Sequence, residues 1–326
     1  MPGDGVGPEI TEATLSVIEA LKVPIEWEYH KIHSKAVTED GDLIEAKTIA
    51  AIQEYGFGLK GPFTTPIGKG HRSLNVTLRK KLKLYANLRP CMTIPGVKGL
   101  IFDNVDLVTI RENTEGEYSG LEHQVIPGVV ENLKIITQKA CEDVCRYAFE
   151  FADKYNRKKV TCSHKMEVMK LGDGCFVNVA RKIAKEYPHI IYEEKQIDNI
   201  CTHLVSHPET LDVMVMPNLY GDILSDLCAG LIGGLGLTPS GNIGKDCSVY
   251  EAVHGTAPDI AGKGIANPTA LLMSSAMMLE HMDFLSEGQK IRAAVRKVIG
   301  EGKWVTGDIG GRASTKEYTN AIIDSL

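Results

Sequence analysis

Apolar and polar positions repeat along this chain with two different periods, and the switches between them predict most of its elements. After the turn-like Gly3-Asp4-Gly5-Val6-Gly7, Pro8 suits a first helical position, and Ile10, Leu15, Ile18 and Leu21 fall mainly on one helical face. Residues 24–29 alternate as a strand does, 43–55 repeat as a helix, and 56–60 form a short strand running into Gly61-Pro62. Residues 74–84 read as a basic helix. A strand over 105–110 delivers Arg111-Glu112-Asn113, another lies within 129–137, and a long helix follows over 138–155. From there strands (159–163, 190–194, 212–216) take turns with helices (176–187, 197–206, 220–231), and the tail is helical over 268–282, 288–301 and 316–325. Sustained strand–helix alternation predicts an α/β protein with a largely buried sheet. Almost no strand precedes the first glycine turn, which predicts a missing upstream strand.

Composition narrows the class. A chain of 326 residues with 43% hydrophobic and 24% charged residues has the make-up of an ordinary globular protein. A net charge of −6 gives no general attraction to nucleic acid or to an anionic membrane, and no apolar run is long enough to span a bilayer. The eight cysteines include no Cys-x-x-Cys pair, so reduced, buried thiols are expected.

Common motifs fail. The early glycines lack the third glycine of a dinucleotide fingerprint, since Pro8 stands there, and the later cluster (Gly230, Gly233, Gly234, Gly236) follows a helix rather than a strand. No phosphate-binding loop, zinc-protease helix, serine-hydrolase elbow or paired-cysteine zinc site is present.

Five segments hold candidate chemistry. Asp222 and Asp226 are four apart, which on a helix puts both carboxylates on one face; hard oxygen donors so placed suit Mg²⁺ or Mn²⁺, although the same spacing also serves a cap and a solvated acid. Ser73, Asn75, Arg79, Arg89 and Arg111 offer the planar cations and small polar groups that a di- or tricarboxylate needs; each arginine alone reads as a solvent-exposed surface residue rather than a functional one. Tyr118 stands among Glu112, Glu115 and Glu117, as a proton donor or a packed loop aromatic. Lys165 directly follows a strand, where a neighbouring cation or burial would fit it to act as a base. His254-Gly255-Thr256-Ala257-Pro258 supplies N–H groups and a hydroxyl, and Asp259 beyond it suits two ribose hydroxyls while repelling a 2′-phosphate.

Taken together, the segment from Asn218 to Asp226, the His254–Pro258 run, Leu59-Lys60-Gly61-Pro62 and the stretch from Arg111 to Gly120 resemble the β-decarboxylating dehydrogenases. That family includes enzymes for isocitrate, isopropylmalate, homoisocitrate and tartrate, and the resemblance runs from Pro2 to Gly311. It implies an α/β, non-Rossmann fold of the isocitrate/isopropylmalate dehydrogenase type. A large cofactor-binding domain (1–84 and 233–326) would embrace a smaller α/β domain (85–232) that carries a dimer clasp. The segments are most similar to the catalytic branch that oxidises isocitrate with NAD in mitochondria.

The resemblance also implies roles. Arg79, Arg89 and Arg111 would hold substrate carboxylates, and Ser73 and Asn75 the extra carboxylate of isocitrate, where isopropylmalate enzymes are apolar. Asp222 and Asp226 would bind Mg²⁺ or Mn²⁺ with Asp198 of a neighbouring subunit. Lys165, also from the neighbour, would assist proton removal, and Tyr118 would be the acid. NAD would lie on Thr64, Thr65, the His254–Pro258 loop, Asp259, Ile260 and Asn267, the Asp259-Ile260 pair being the form found in NAD users. The reaction implied is oxidative decarboxylation of isocitrate to 2-oxoglutarate in a homodimer or higher oligomer, with no nucleic-acid or membrane partner. A mitochondrial matrix setting follows, or the cytoplasm if the source is bacterial. The alternatives are a homoisocitrate or isopropylmalate dehydrogenase and a regulatory subunit. Phe63-Thr64-Thr65-Pro66 and the segment from Cys162 to Glu167 differ in detail from the mitochondrial pattern.

Overall fold

The computed structural model describes residues 1–32, 44–64 and 73–326. In chain order its first elements are helices α1 (Gly7–Ala20) and α2 (Ala46–Tyr55), strand β1 (Phe57–Lys60) and helix α3 (Leu74–Lys81). Strands β2 (Ala86–Met92) and β3 (Asp106–Glu112), the hairpin β4 (Glu122–Ile126) and β5 (Val129–Asn132), and helix α4 (Gln138–Lys154) follow. Then come β6 (Lys159–His164), α5 (Gly172–Ala184), β7 (Ile191–Gln196), α6 (Ile197–Ser206), β8 (Val213–Met216) and α7 (Asn218–Leu231). The last elements are β9 (Pro239–Ile243), β10 (Ser248–Ala252), α8 (Thr269–His281), α9 (Leu285–Glu301) and α10 (Thr315–Ile323).

These form two compact units. The first comprises Met1–Leu82, Met92–Asp103 and Ala229–Leu326. In it β1 runs parallel to β10, and β10 pairs antiparallel with β9. Helix α8 is buried along almost its whole length, from Thr269 to Leu279, because α1, α9 and strands β9 and β10 all pack on it. The apolar core includes Val17, Leu272, Ala276, Ile291, Val295 and Tyr318. Helix α10 opens with a capping box, Ser314 and Glu317 each bonding the other's backbone N–H.

The second unit comprises Lys83–Cys91 and Asn104–Cys228, with strand order β2-β3-β8-β6-β7. Strands β3, β8, β6 and β7 are mutually parallel, so their carboxyl ends lie along one edge. That edge receives Arg111 from β3, Asn218 just beyond β8, Lys165 just beyond β6, and Gln196 from β7. Open parallel sheets characteristically bind ligands along this edge. Helices α4 and α5 pack together, α4 lying against β3, β8 and β6. Thr137 caps α4 by accepting the Ala140 N–H.

The structure corrects several expectations. Residues 24–29 form no strand: Val23, Ile25 and Trp27 lie half-buried against the first unit's core while Pro24, Glu26 and Glu28 face out. Period-two burial arises there without a strand partner among the described residues, which periodicity cannot reveal. Strands β2, β4, β9 and β10 were not expected. Arg89 sits inside β2, where Pro90 hides the strand from a reading by local pattern. Segment Met92–Asp103 packs with the first unit.

Candidate active site

In the second unit, Arg111 is 1% exposed at the end of β3. Its Nε and Nη2 donate to Asn218 Oδ1 at 3.0 and 2.7 Å, and its Nη1 donates to Asp222 Oδ1. The helix bearing those acceptors approaches so closely that a Cβ on Gly221 would lie 2.4 Å from Arg111 Cγ. Arg89 donates from Nη1 to Ser225 Oγ (2.6 Å) and Asp226 Oδ1 (3.0 Å). Its Nε is buried with no partner among the described residues. Asp222 and Asp226 project from one face of α7 with side chains 39% and 57% exposed, so each is held by an arginine yet open to further ligands.

Tyr118 lies on a short 3₁₀ turn, Glu117–Ser119, beyond β3. Its hydroxyl donates to Asp222 Oδ2 at 2.5 Å, and the Arg111 guanidinium stands 5.0 Å from its ring centre. Burial raises the Tyr118 pKa, and the bond to Asp222 raises it further, so the side chain remains a phenol with a proton to give. Lys165 donates to Gln196 Oε1 and Asp198 Oδ1, both at 2.7 Å. The bond from Lys165 holds the Asp198 carboxyl below its usual range. Asp198 therefore pairs with Lys165 inside one chain, and among the described residues no three metal-ligating side chains gather.

The first unit holds another charged group. The β1–β10 register sets Lys60 beside Glu251, and Lys60 Nζ lies 2.7 Å from Glu251 Oε2. Arg79 Nη2 and Asn242 Nδ2 donate to Glu251 Oε1 at 3.1 and 2.7 Å. Burial opposes the Glu251 charge, but the Lys60 and Arg79 cations prevail and hold its carboxyl well below the usual range. Burial also lowers the Lys60 pKa against the pull of Glu251. Ser73 stands at the start of α3 without a side-chain capping bond. Asn75 Oδ1 and Arg79 Nε are buried without partners among the described residues. Lys60, Glu251, Asn242 and Asn218 are site residues that the sequence pattern does not mark. The sign that would have found Lys60 is a lysine in the apolar strand Phe57–Lys60.

The predicted cofactor loop begins just beyond β10. His254 Nδ1 lies 2.9 Å from the Gly255 carbonyl, which can only accept, so Nδ1 carries the proton and the buried Nε2, without a partner among the described residues, is an acceptor. Burial lowers the His254 pKa and favours that neutral ring. The Thr256 carbonyl accepts the Val6 N–H at 2.9 Å, and a Cβ on Gly5 would lie 1.9 Å from that carbonyl. The early glycine turn thus braces this loop. Ala257 takes a left-handed φ of 39°, Gly255, Pro258 and Asp259 are exposed, and Ile260 is half-buried. Asn267 Oδ1 accepts two bonds from Thr269 while Nδ2 donates to Asp308, leaving one amide hydrogen to spare. Thr64 is exposed, its N–H given to Asp4; Thr65 lies outside the described residues.

The isocitrate/isopropylmalate dehydrogenase family pattern matches residues 1–322. The chain belongs to that family. The chain is 55% identical over 326 residues to isocitrate dehydrogenase [NAD] catalytic subunit 5, mitochondrial, of Arabidopsis thaliana, covering 100% of this chain and 87% of that one. It is also 54% identical over 303 residues to the chloroplastic 3-isopropylmalate dehydrogenase of Solanum tuberosum, covering 93% of this chain and 85% of that one. The crystal structure of isocitrate dehydrogenase from Methylococcus capsulatus superposes with a TM-score of 0.94 at 46% identity, over 99% of this chain and 97% of that one.

Membership of the isocitrate/isopropylmalate dehydrogenase family accounts for an α/β dehydrogenase without the common glycine fingerprint. All eight cysteines are free, six of them buried. Burial pushes the Cys162 thiol up to about 12, which leaves it inert as a nucleophile. No helix of the described residues is long and apolar enough to cross a membrane.

Proposed function

We propose that this family member oxidises and decarboxylates isocitrate to 2-oxoglutarate and CO₂ with reduction of NAD⁺. Several similar relatives are named for NAD-dependent isocitrate dehydrogenase, which supports isocitrate, and one named for isopropylmalate supplies the rival. The observation that carries the choice is the polar start of α3, where Ser73 is followed by Asn75, whose buried Oδ1 has no partner among the described residues. An isopropyl group would leave that oxygen unpaired at a cost of about 1–3 kcal/mol. An additional carboxylate reaches it through a bridging water, and Ser73 and the Asn75 amide can donate directly.

Arg79, Arg89 and Arg111 bind the carboxylates, exchanging part of their bonding to Glu251, Asp226 and Asp222 for the substrate. The hard oxygen donors of Asp222 and Asp226, one helical turn apart and partly open, fit Mg²⁺ or Mn²⁺. A metal held there with Asp198 of a second copy would supply Lewis acidity towards the substrate's C2 oxygen. Lys165, from the same second copy, assists through water the removal of the C2 hydroxyl proton as hydride leaves C2 for NAD⁺. The resulting β-keto acid loses CO₂, and Tyr118 gives its proton to the enolate carbon. Asp259 orients the adenosine ribose, and His254 Nε2 accepts from the adenine.

A second copy is supported by the hairpin β4–β5, which leaves Val125, Ile126, Val129 and Val130 between 46% and 63% exposed. The presence of Tyr118, Lys165, Asp198, Asp222 and Asp226 weighs against a purely regulatory chain. The relatives include a protein named as mitochondrial and one from a bacterium, the two settings the sequence suggested.

The test is reduction of NAD⁺ and NADP⁺ in parallel with isocitrate and Mn²⁺, with isopropylmalate and homoisocitrate as rival substrates. Turnover with isocitrate and NAD⁺ is expected. Preference for a rival substrate overturns the assignment, and silence with all of them in folded protein points to a regulatory chain.

A further inference from the structure

Asp173, in the first turn of α5, has no solvent exposure and takes no part in the chemistry above. Its carboxylate is surrounded by donors from three other parts of the second unit. Oδ2 accepts the backbone N–H of Lys165 at 2.6 Å and the Tyr220 hydroxyl at 3.0 Å. Oδ1 accepts Lys134 Nζ at 2.8 Å. Lys134 also lies 4.5 Å from the Tyr220 ring centre and 3.7 Å from Glu117 Oε1. Next to Lys134, the Ile135 carbonyl accepts the Gly116 N–H at 2.9 Å, on the turn that presents Tyr118.

These contacts have a common feature. Each ends on, or within two residues of, a group the reaction uses: Lys165 itself, Asp222 two residues after Tyr220, and Tyr118 one residue after Glu117. We propose that Asp173, paired with Lys134, is a positioning residue that aims the Lys165 ammonium by holding its backbone and braces the Tyr118 turn and the Asp222 helix against the same buried anion. A buried carboxylate is costly unless paired and fully bonded, and this one is both. Its rigid placement therefore fixes the relative positions of elements that the sheet alone leaves at the ends of loops. Since Lys165 serves the second copy's substrate while Tyr118 and Asp222 serve their own, one anion links the aim of two active sites. The inference rests on the proposed roles of Lys165, Tyr118 and Asp222.

The experiment compares Asp173→Asn, Lys165→Met and the double variant of the full chain, after circular dichroism has shown each to be folded. Asp173→Asn keeps an acceptor for the Lys165 N–H but removes the charge that holds Lys134. A misplacement of about 1 Å costs on the order of 100-fold in rate, so kcat should fall by about that factor while KM for isocitrate stays within about twofold. In the double variant the two losses should not multiply, because both changes disturb what Lys165 does. If Asp173→Asn keeps wild-type kcat, or if Lys165→Met still exacts its whole cost on top of it, the positioning role is wrong. Should Asp173→Asn fail to fold, Tyr220→Phe and Lys134→Gln, which each remove part of the network, carry the same comparison: a fall in kcat without a rise in KM supports the role, and unchanged kcat in both overturns it. Wild-type turnover in Lys165→Met alone would instead defeat the mechanism on which the inference rests.

Discussion

Lys60 and Glu251 stand opposite one another on neighbouring parallel strands, Nζ 2.7 Å from Oε2, with side chains only 2% and 6% exposed. Two opposite charges hidden this completely hold their place only as a set, since either one alone would be a bare ion in an apolar interior. Arg79 and Asn242 complete the set around the same carboxylate.

Removing the anion should therefore be far more harmful than its size suggests. Glu251→Gln leaves the Lys60 and Arg79 cations uncompensated and is expected to destabilise the protein by about 3–5 kcal/mol at neutral pH, read from denaturant midpoints. The folded-state pKa of Glu251 lies below its ordinary value of 4.5, so below that value the unfolded chain binds the extra proton first. Its stabilisation is whole above pH 4.5 and declines as acid is added, so the gap between wild type and Glu251→Gln should narrow towards about pH 3. A gap independent of pH would show that charge is not its source.

Gly221 is helical with an ordinary φ, and alanine there would normally stabilise α7 by about 1 kcal/mol. Here the added Cβ would meet Arg111 Cγ at 2.4 Å and Cβ at 2.5 Å, atoms too close to the backbone to swing aside. Gly221→Ala should lower the melting temperature and raise KM for isocitrate, as Arg111 is pushed from its seat. A melting temperature at or above that of the wild type would contradict the packing described.

In the proposed reaction Tyr118→Phe removes the proton given to the enolate carbon, together with the bond to Asp222. Loss of a positioned acid costs about 10²–10⁴-fold in rate. Steady-state kcat should fall within that range, with hydride transfer in a single turnover affected less than release of 2-oxoglutarate. Near wild-type turnover would end the assignment of Tyr118 as the acid.

Asp259 is exposed just beyond the His254 loop, where a carboxylate welcomes two ribose hydroxyls and repels a phosphate. Asp259→Lys combined with Ile260→Tyr should shift the ratio of kcat/KM for NADP⁺ over NAD⁺ upward by at least about tenfold, a change of about 1.4 kcal/mol in relative transition-state binding. An unchanged ratio would place the adenosine elsewhere.

Much of the fold and the site was legible in the amino-acid order, for identifiable reasons. Helix α6 falls at the expected residues, Ile197–Ser206, and the strands ending at His164 and Met216 lie where apolar runs predicted them. Elements whose own side chains repeat with one period announce themselves. The four-residue spacing of Asp222 and Asp226 likewise determined, once the segment was helical, that both carboxylates share a face.

Tertiary structure alone decided the rest. Strands β9 and β10, which carry Asn242 and Glu251, are wholly buried, and with neither face turned to water they show no alternation. Lys60 meets Glu251 across 191 positions because a parallel register, which no local pattern encodes, puts them side by side. Asp173 looked like one acid among many until folding gathered Lys134, Lys165 and Tyr220 around it. Sequence by itself determined which residue types were available and which faces they shared within an element. Which charge faces which is set by contacts between distant segments, whose free energy belongs to the packed whole.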